Sequence, residues 1–296
     1  MDAMEIRCLS GEGIPEPLRL MPHPCRTLFV AGELPPDAAL RVAMVGSRAA
    51  SPGGEQLAYE IAFGLARAGV VVVSGLARGI DAAAHRGALD GGGATVAFLG
   101  NGIDVVYPRS SRKLGEEILC RGALASEYPP GAPPLAYRFV ERNRLVAGYA
   151  LGTLVVEAGA RSGALITAGL SAELGRELWA VPGDPRRPGC RGSNRLLRDG
   201  AGVVLDAQDL LAAIGLARSG RCAGPGSSAE PPGLSRNELA VWRCLAVQGP
   251  ADAEGLSRRS GLSAAALLEA LSLLELAGHI EREGEGYALP ARERRG

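Results

Sequence analysis

Arginine supplies nearly all of the positive charge in this chain, and its local clusters are the residues best suited to chemistry. Lys113 is the only lysine among 32 basic residues, which balance 32 acidic residues in a chain of 296. The first cluster is Gly46-Ser47-Arg48. Glycine lets the backbone approach an anion, and arginine can donate two parallel hydrogen bonds to a phosphate. The tripeptide therefore fits an anion site, and by itself it fits an ordinary turn as well.

Two further clusters place arginine beside glycine or an aromatic ring. Two glycines flank Arg78 ahead of a predicted helix, where backbone N–H groups point outward. Asp81 and His85, one helical turn apart, fit either an acid/base pair or a helix cap beside a locally bonded histidine. Residues 137–144 hold three arginines with an aromatic residue among them. That combination is typical of contacts to phosphates and stacked bases, and also of a solvated helix start.

The last two clusters lie between residues 157 and 198. Residues 157–168 are rich in small side chains and predict another phosphate-binding loop at the start of a helix. Residues 182–198 contain five arginines and one acid, Asp184, which makes this the most basic stretch of the chain. No cluster pairs a nucleophile with a base, so we predict an anion-binding surface without catalytic residues. The six cysteines and three histidines are scattered, and we expect neither a metal site nor a cofactor.

Short apolar runs alternate with stretches of helical periodicity over most of the chain. The predicted strands are residues 42–45, 70–73, 95–99, 153–156, 178–181 and 203–205. Near-continuous apolar strands between helices are typical of a parallel sheet covered on both faces. We therefore predict an α/β fold with an extended, Rossmann-like, doubly wound and mainly parallel sheet. In such folds ligands bind at the carboxyl ends of the strands, and four of the five clusters, all but residues 137–144, directly follow a predicted strand.

Composition divides the chain into segments. We predict an irregular N-terminal leader or truncated module (1–34), a Rossmann-like domain (35–217), a Gly/Pro/Ser-rich linker (218–233), a small C-terminal domain (234–290) and a tail (291–296). Three helical stretches followed by a hairpin predict a winged-helix fold for the small domain. The chain has no apolar run of about 20 residues, and its acidic start does not resemble a signal peptide. We expect a cytoplasmic protein without membrane contact.

The predicted winged helix is acidic, which is unusual for a module that reads DNA. Its third helical stretch, residues 263–277, contains no lysine or arginine. Residues 234–290 hold five arginines against eight acids, a net charge of −3. A helix that enters the major groove normally presents basic residues to phosphates. The charge favours a protein-contact or self-association role for this module.

The order and spacing of these clusters resemble the DprA/Smf (DNA-processing protein A) family between Pro22 and Leu216, and residues 235–290 resemble its winged-helix module. The resemblance implies a core that binds single-stranded DNA, forms a homodimer and helps load the RecA recombinase in natural transformation. Two departures stand out: an N-terminal helical module of many relatives is nearly absent, and the frequent Gly-Thr-Asn is Gly192-Ser193-Asn194. The residues assigned to DNA binding are Gly46, Ser47, Arg48, Gly75, Arg78, Gly79, Phe139, Arg142, Asn143, Arg144, Ser162, Gly163, Thr167, Gly192, Ser193 and Asn194.

Three hypotheses follow from the sequence. The main one is a non-catalytic mediator that protects incoming single-stranded DNA and helps load RecA. An alternative is a nucleotide-processing hydrolase of the phosphoribohydrolase type, although its usual Pro-Gly-Gly-x-Gly-Thr loop is replaced here by residues 157–162, Glu-Ala-Gly-Ala-Arg-Ser. A third is a winged-helix transcription factor with a nucleotide-sensing domain, which the acidic third helix disfavours.

Overall fold

A computed structural model describes residues 5–216, 234–248, 251–260, 262–283 and 286–288. The chain divides into two compact units, Met1–Ala217 and Arg218–Gly296. The predicted linker (218–233) and tail (291–296) lie outside the described residues. None of the described helices has the length and apolar character needed to cross a membrane.

The first unit is built on one sheet of nine strands. In sheet order β1-β2-β6-β5-β4-β3-β7-β8-β9, strands β1, β2 and β6 pair antiparallel and all other neighbours pair parallel. This confirms the predicted α/β architecture with a mainly parallel sheet. The strands are β1 (Ile6–Ser10), β2 (Thr27–Gly32), β3 (Arg41–Val45), β4 (Val71–Ser74), β5 (Thr95–Phe98), β6 (Ala123–Ser126), β7 (Gly152–Val155), β8 (Glu177–Ala180) and β9 (Gly202–Val203).

Helices cover both faces of this sheet and form two main apolar cores with it. Helix α2 shows why the sequence folds this way: Ser51 caps it by accepting from the Gly54 N–H at 3.1 Å, and Pro52 occupies its first position. Its buried face includes Ala58, Ile61 and Leu65, which recur at helical spacing. The helices are α1 (Glu16–Arg19), α2 (Pro52–Arg67), α3 (Ile80–Asp90), α4 (Arg112–Leu119), α5 (Ala136–Tyr149), α6 (Ala164–Glu173), α7 (Arg191–Arg198) and α8 (Ala207–Ala213).

The strand order changes direction at β3. From β3 the chain adds β4, β5 and β6 on one side, then returns to place β7, β8 and β9 on the other. The helices that follow β3 and β7 therefore lie on opposite faces of the sheet, and a crevice opens at the carboxyl ends of these strands. This crevice is where the architecture positions a binding site.

The described residues 5–34, predicted from the sequence as an irregular leader or truncated module, contain two strands of the sheet. Strand β2 pairs with β6, β1 pairs with β2, and the side chain of Leu28 is completely buried in the core. Strand β1 escaped prediction because it is partly exposed, and β6 (Ala-Leu-Ala-Ser) because it lacks the β-branched residues that mark strands. The N-terminal segment is an integral part of the sheet.

The described residues of the second unit form three helices and a hairpin, which confirms the predicted winged helix. Leu267, Leu271 and Leu274 of the third helix form one apolar core with Trp242 of the first helix. The opposite face of the third helix exposes Leu268 and other leucines to solvent. The elements are α9 (Arg236–Gln248), α10 (Ala253–Ser260), α11 (Ala264–Leu276), β10 (Glu281–Glu283) and β11 (Gly286–Ala288).

Candidate nucleic-acid interface

A groove of about 640 Å³ opens at the carboxyl ends of β3, β4 and β7, where the strand order changes direction. A recess of about 290 Å³ adjoins it and shares Arg48, Gly75, Phe139 and Arg142 with it. We call the two together the strand-end groove. Of the predicted residues, the strand-end groove is lined by Gly46, Ser47, Arg48, Gly75, Arg78, Phe139, Arg142, Asn143, Ser162, Gly163 and Thr167.

The loop after β3 forms the floor of the groove. A Cβ on Gly46 would lie 2.4 Å from Ile80 and 2.9 Å from the Glu157 carbonyl oxygen, so only glycine fits there. The Ser47 N–H donates to that same carbonyl at 2.7 Å, which joins this loop to the end of β7. Arg48 is exposed, and its guanidinium carbon lies 5.9 Å from the centre of the Phe139 ring. The exposed guanidinium is free to reach a phosphate in the groove.

The loop after β4 is fixed by backbone geometry and by one buried carboxylate. Gly79 adopts φ +75°, and a Cβ there would lie 2.3 Å from the Ser47 carbonyl oxygen, so glycine is required for this close approach. Asp81 accepts from the N–H groups of Gly75 at 3.1 Å and Ala77 at 3.4 Å. This arrangement leaves Arg78 exposed at the rim of the recess. Gly79 itself does not line the strand-end groove, and its role is to let the two loops pack.

Arg142, assigned to DNA binding from the sequence, lies inside helix α5 with only 4% of its surface exposed. Its Nη1 donates to the carbonyl oxygen of Gly75 at 2.7 Å and to that of Phe98. Burial lowers the pKa of Arg142 to about 10, with Asp81 opposing that shift, so the side chain stays charged at neutral pH. Arg142 therefore joins the ends of β4 and β5 beneath the groove.

Arg144 is also directed away from the groove. Its Nη2 donates to Glu127 Oε1 at 2.6 Å and its Nη1 donates to the His23 carbonyl oxygen at 2.9 Å. These bonds hold the N-terminal segment against α5, and Arg144 does not line the strand-end groove; its DNA contact stays a prediction. The neighbouring Asn143 and Phe139 do line the groove, and both are half-buried. The Phe139 ring packs on Tyr107 with 5.5 Å between the ring centres.

The loop after β7 supplies the opposite wall. Ser162 and Gly163 precede helix α6, and Thr167 on its first turns lines the groove although only 2% of its surface is exposed. Sequence reasoning left out Arg161, which is exposed and lines the same wall. The sequence could have indicated Arg161, because it is adjacent to Ser162 in a loop already predicted to bind phosphate.

Gly192, Ser193 and Asn194, also assigned to DNA binding from the sequence, do not line the strand-end groove. Ser193 is buried, and its hydroxyl donates to the Cys190 carbonyl oxygen at 3.1 Å. The Asn194 side chain accepts from the Gly183 N–H at 3.0 Å and donates to the Gly183 carbonyl oxygen at 2.8 Å. These residues connect the loop after β8 to the start of α7.

The structure does not support an acid/base pair of Asp81 and His85. His85 is fully buried, and its Nδ1 lies 2.7 Å from Thr95 Oγ1. Burial lowers the pKa of His85 to about 3, so the ring is neutral at physiological pH. Among the described residues that line the strand-end groove there is no histidine, cysteine or lysine. The groove therefore offers donors for anions rather than an activated nucleophile.

Charge distinguishes the strand-end groove from a larger cleft of about 1200 Å³ beside α4. That cleft is lined by three arginines and four acids, Arg7, Arg109, Arg112, Glu5, Glu33, Asp104 and Glu116. The strand-end groove brings Arg48, Arg78, Arg142 and Arg161 together with a single acid, Asp81. The smaller strand-end groove is therefore the better site for a polyanion, despite its size.

Comparison with known proteins identifies the family. Residues 5–215 match the family model described as DNA recombination-mediator protein A, and residues 225–286 match that of the DprA winged helix domain. The chain belongs to the DNA recombination-mediator protein A family. It is 45% identical over 185 residues to Protein Smf of Escherichia coli, which covers 62% of this chain and 50% of that protein. The chain spans about half the length of the curated relatives of this kind.

Two solved structures of the family share the fold. DNA processing protein A from Streptococcus pneumoniae superposes with a TM-score of 0.66 at 38% identity, covering 70% of this chain and 74% of that one. The Helicobacter pylori protein gives a TM-score of 0.65 at 28% identity, covering 72% and 96%. That Helicobacter pylori structure concerns the single-stranded DNA binding mode of the Helicobacter protein.

The buried position of Arg142 predicts a structural effect of its removal. Arg142→Ala should lower the free energy of unfolding by about 3 kcal/mol, because two carbonyl groups lose a charged donor and Asp81 loses a compensating charge. Urea denaturation of the variant measures the loss. Arg48→Ala, which removes an exposed arginine from the same groove, is the control and should change stability by less than about 0.5 kcal/mol. Equal urea midpoints for Arg142→Ala and Arg48→Ala would contradict the structural role of Arg142.

Proposed function

We propose that this protein is a single-stranded-DNA-binding recombination mediator that protects incoming single-stranded DNA and helps load the RecA recombinase in natural transformation. The observation that carries the proposal is the grouping of exposed arginines, Arg48, Arg78 and Arg161, with the half-buried Phe139 in one strand-end groove. Its family membership and the single-stranded DNA named for the Helicobacter pylori relative point to the same ligand.

The chemistry of the groove suits a single strand better than a duplex. Arginine forks match phosphates, and a partly exposed aromatic ring can stack on an unpaired base of any sequence. Among the described residues, the exposed arginines of the groove come from loops and not from a helix placed to read base edges. Binding through these groups is therefore independent of sequence and requires bases that are free to leave the helical stack.

We propose a binding role rather than an enzymatic one. The hydroxyls of Ser47 and Ser162 each accept a hydrogen bond from a nearby backbone N–H, of Ala49 and Ala164 respectively. Among the described residues, neither hydroxyl forms a hydrogen bond to a histidine or carboxylate base, the arrangement that nucleophilic catalysis needs. The hydrolase alternative is not favoured.

The winged helix fits a protein-contact role in this proposal. Helix α11 has no basic residue and exposes Leu268, Leu273 and Leu276, the last to 87%. A surface of this composition suits another protein better than a phosphate backbone.

Two partners complete the proposal, RecA recombinase and a second copy of this chain. The core ends in an edge strand, β9, with Val203 59% exposed and Leu205 58% exposed just beyond it. Exposed apolar side chains at an open sheet edge favour self-association. Analytical ultracentrifugation of the chain alone and with RecA tests both partners, and a monomer that does not co-sediment with RecA would overturn them.

We place this activity in the cytoplasm, where a recombinase meets its DNA.

The protein should bind oligo-dT more tightly than a blunt duplex of equal length, as measured by fluorescence anisotropy. Arg48→Ala should weaken binding to oligo-dT by about 1–3 kcal/mol, the scale of a charge-assisted hydrogen bond, with little change in Tm. Arg67→Ala removes an exposed arginine from the far end of α2 and serves as the matched control. Equal affinity for duplex and single strand would refute the proposed preference.

Deleting residues 221–296 should leave single-stranded DNA affinity unchanged or slightly higher at low salt. The removed domain has a net negative charge between residues 234 and 290, and phosphate attraction grows with the number of cations that contact the strand. Anisotropy titrations of the truncated and full chains measure the difference, with circular dichroism to confirm that the core is folded. A tenfold loss of affinity for single-stranded DNA, with the core still folded, would show that the DNA site lies on the winged helix.

A further inference from the structure

Helix α7 carries a row of arginines outside the strand-end groove. Arg191, Arg195 and Arg198 follow one another at intervals of four and three residues, so they lie on one face of the helix. All three are exposed. On the opposite face, Leu196 and Leu197 pack against the core of the sheet. We call the exposed side the arginine face.

The arginine face is held next to the groove by backbone bonds at the base of the helix. The N–H of Gly192 donates to the Ala158 carbonyl oxygen at 2.7 Å, just beyond the end of β7. A Cβ on Gly192 would lie 2.5 Å from the Gly159 carbonyl oxygen, so glycine permits this approach. Gly159 and Gly189 line the groove, and α7 begins at Arg191, two residues after Gly189. The arginine face thus continues directly from the wall of the groove.

Few carboxylates neutralise this face. Arg195 and Arg198 share a single acid, Asp199, with N–O distances of 3.4 Å each. Within the described part of the chain, Arg191 forms no ion pair. Ion pairs between exposed side chains contribute little free energy, so a phosphate can replace Asp199 at small cost. The face therefore keeps a net positive charge available to an anion.

We propose that the arginine face binds the sugar–phosphate backbone of single-stranded DNA that extends beyond the strand-end groove. The inference rests on the proposed function and extends its site. The face is about 10 Å long from Arg191 to Arg198, enough for more than one phosphate. Helix α7 contains no aromatic residue, so it holds the strand by charge alone and leaves the bases of this stretch accessible for pairing. Gly192, Ser193 and Asn194 then act as positioning residues for this helix.

The test compares short and long oligo-dT on the full chain. In Arg191→Ala/Arg195→Ala/Arg198→Ala, affinity for a strand of about 6 nucleotides should stay within twofold of the unsubstituted protein, because such a strand fills only the groove. Affinity for a strand of about 24 nucleotides should fall at least tenfold. The slope of log Kd against log salt should decrease by about 2, since three cations are lost at about 0.7 per phosphate. Arg19→Ala/Arg26→Ala/Arg67→Ala, which removes three exposed arginines that line neither the groove nor α7, is the matched control.

The outcomes separate this inference from the proposed function. Failure of the unsubstituted protein to bind either strand would overturn the proposed function. Normal binding together with unchanged long-strand affinity and salt slope in the α7 variant would overturn the arginine face alone. An equal loss for both strand lengths would also overturn it, because α7 would then belong to the groove. Circular dichroism and Tm of both triple variants establish that each is folded.

Discussion

The strand-end groove depends on one buried guanidinium. Arg142 extends from α5 beneath the loop after β4 and donates to carbonyl groups at the ends of β4 and β5. A buried cation is costly unless it has acceptors, and the two that Nη1 finds are these carbonyl groups, which are thereby held in one orientation. A Cβ on Gly75 would come within 2.5 Å of the Arg142 guanidinium, which explains the glycine at that position. Asp81 fixes the N–H groups of the same loop from the other side.

This arrangement separates the residues that shape the groove from those that can contact a ligand. Arg142 is buried and determines where the loop after β4 lies, whereas Arg48, Arg78 and Arg161 are exposed around it. The same separation recurs at α7, where buried backbone and side-chain bonds fix the helix and exposed arginines face solvent. Because the exposed groups are carried by loops on a rigid sheet, they can act together on one flexible polyanion.

Much of the fold could be predicted from the sequence, because apolar runs and helical periodicity directly reflect burial. For the site, the sequence predicted which loops form it but not which side chains face a ligand. The loops at the strand ends were recognisable from their glycines and arginines, but the direction of a side chain on a helix depends on tertiary packing. Arg142 and Arg144 therefore both resembled phosphate ligands, although one is buried under a loop and the other bonds Glu127. Strands β1 and β2 were missed because β1 is held only by β2, and the pairing of β2 with β6 is a long-range contact that local pattern does not encode.

Hydrogen–deuterium exchange of the full chain, with and without oligo-dT, tests the central claim most directly. If the strand-end groove binds single-stranded DNA, amide exchange should slow in residues 46–49, 75–79 and 159–163, whose backbones line or support the groove. Exchange in α11 of the winged helix should not change. Slowed exchange confined to α11, with none at the strand ends, would contradict the account.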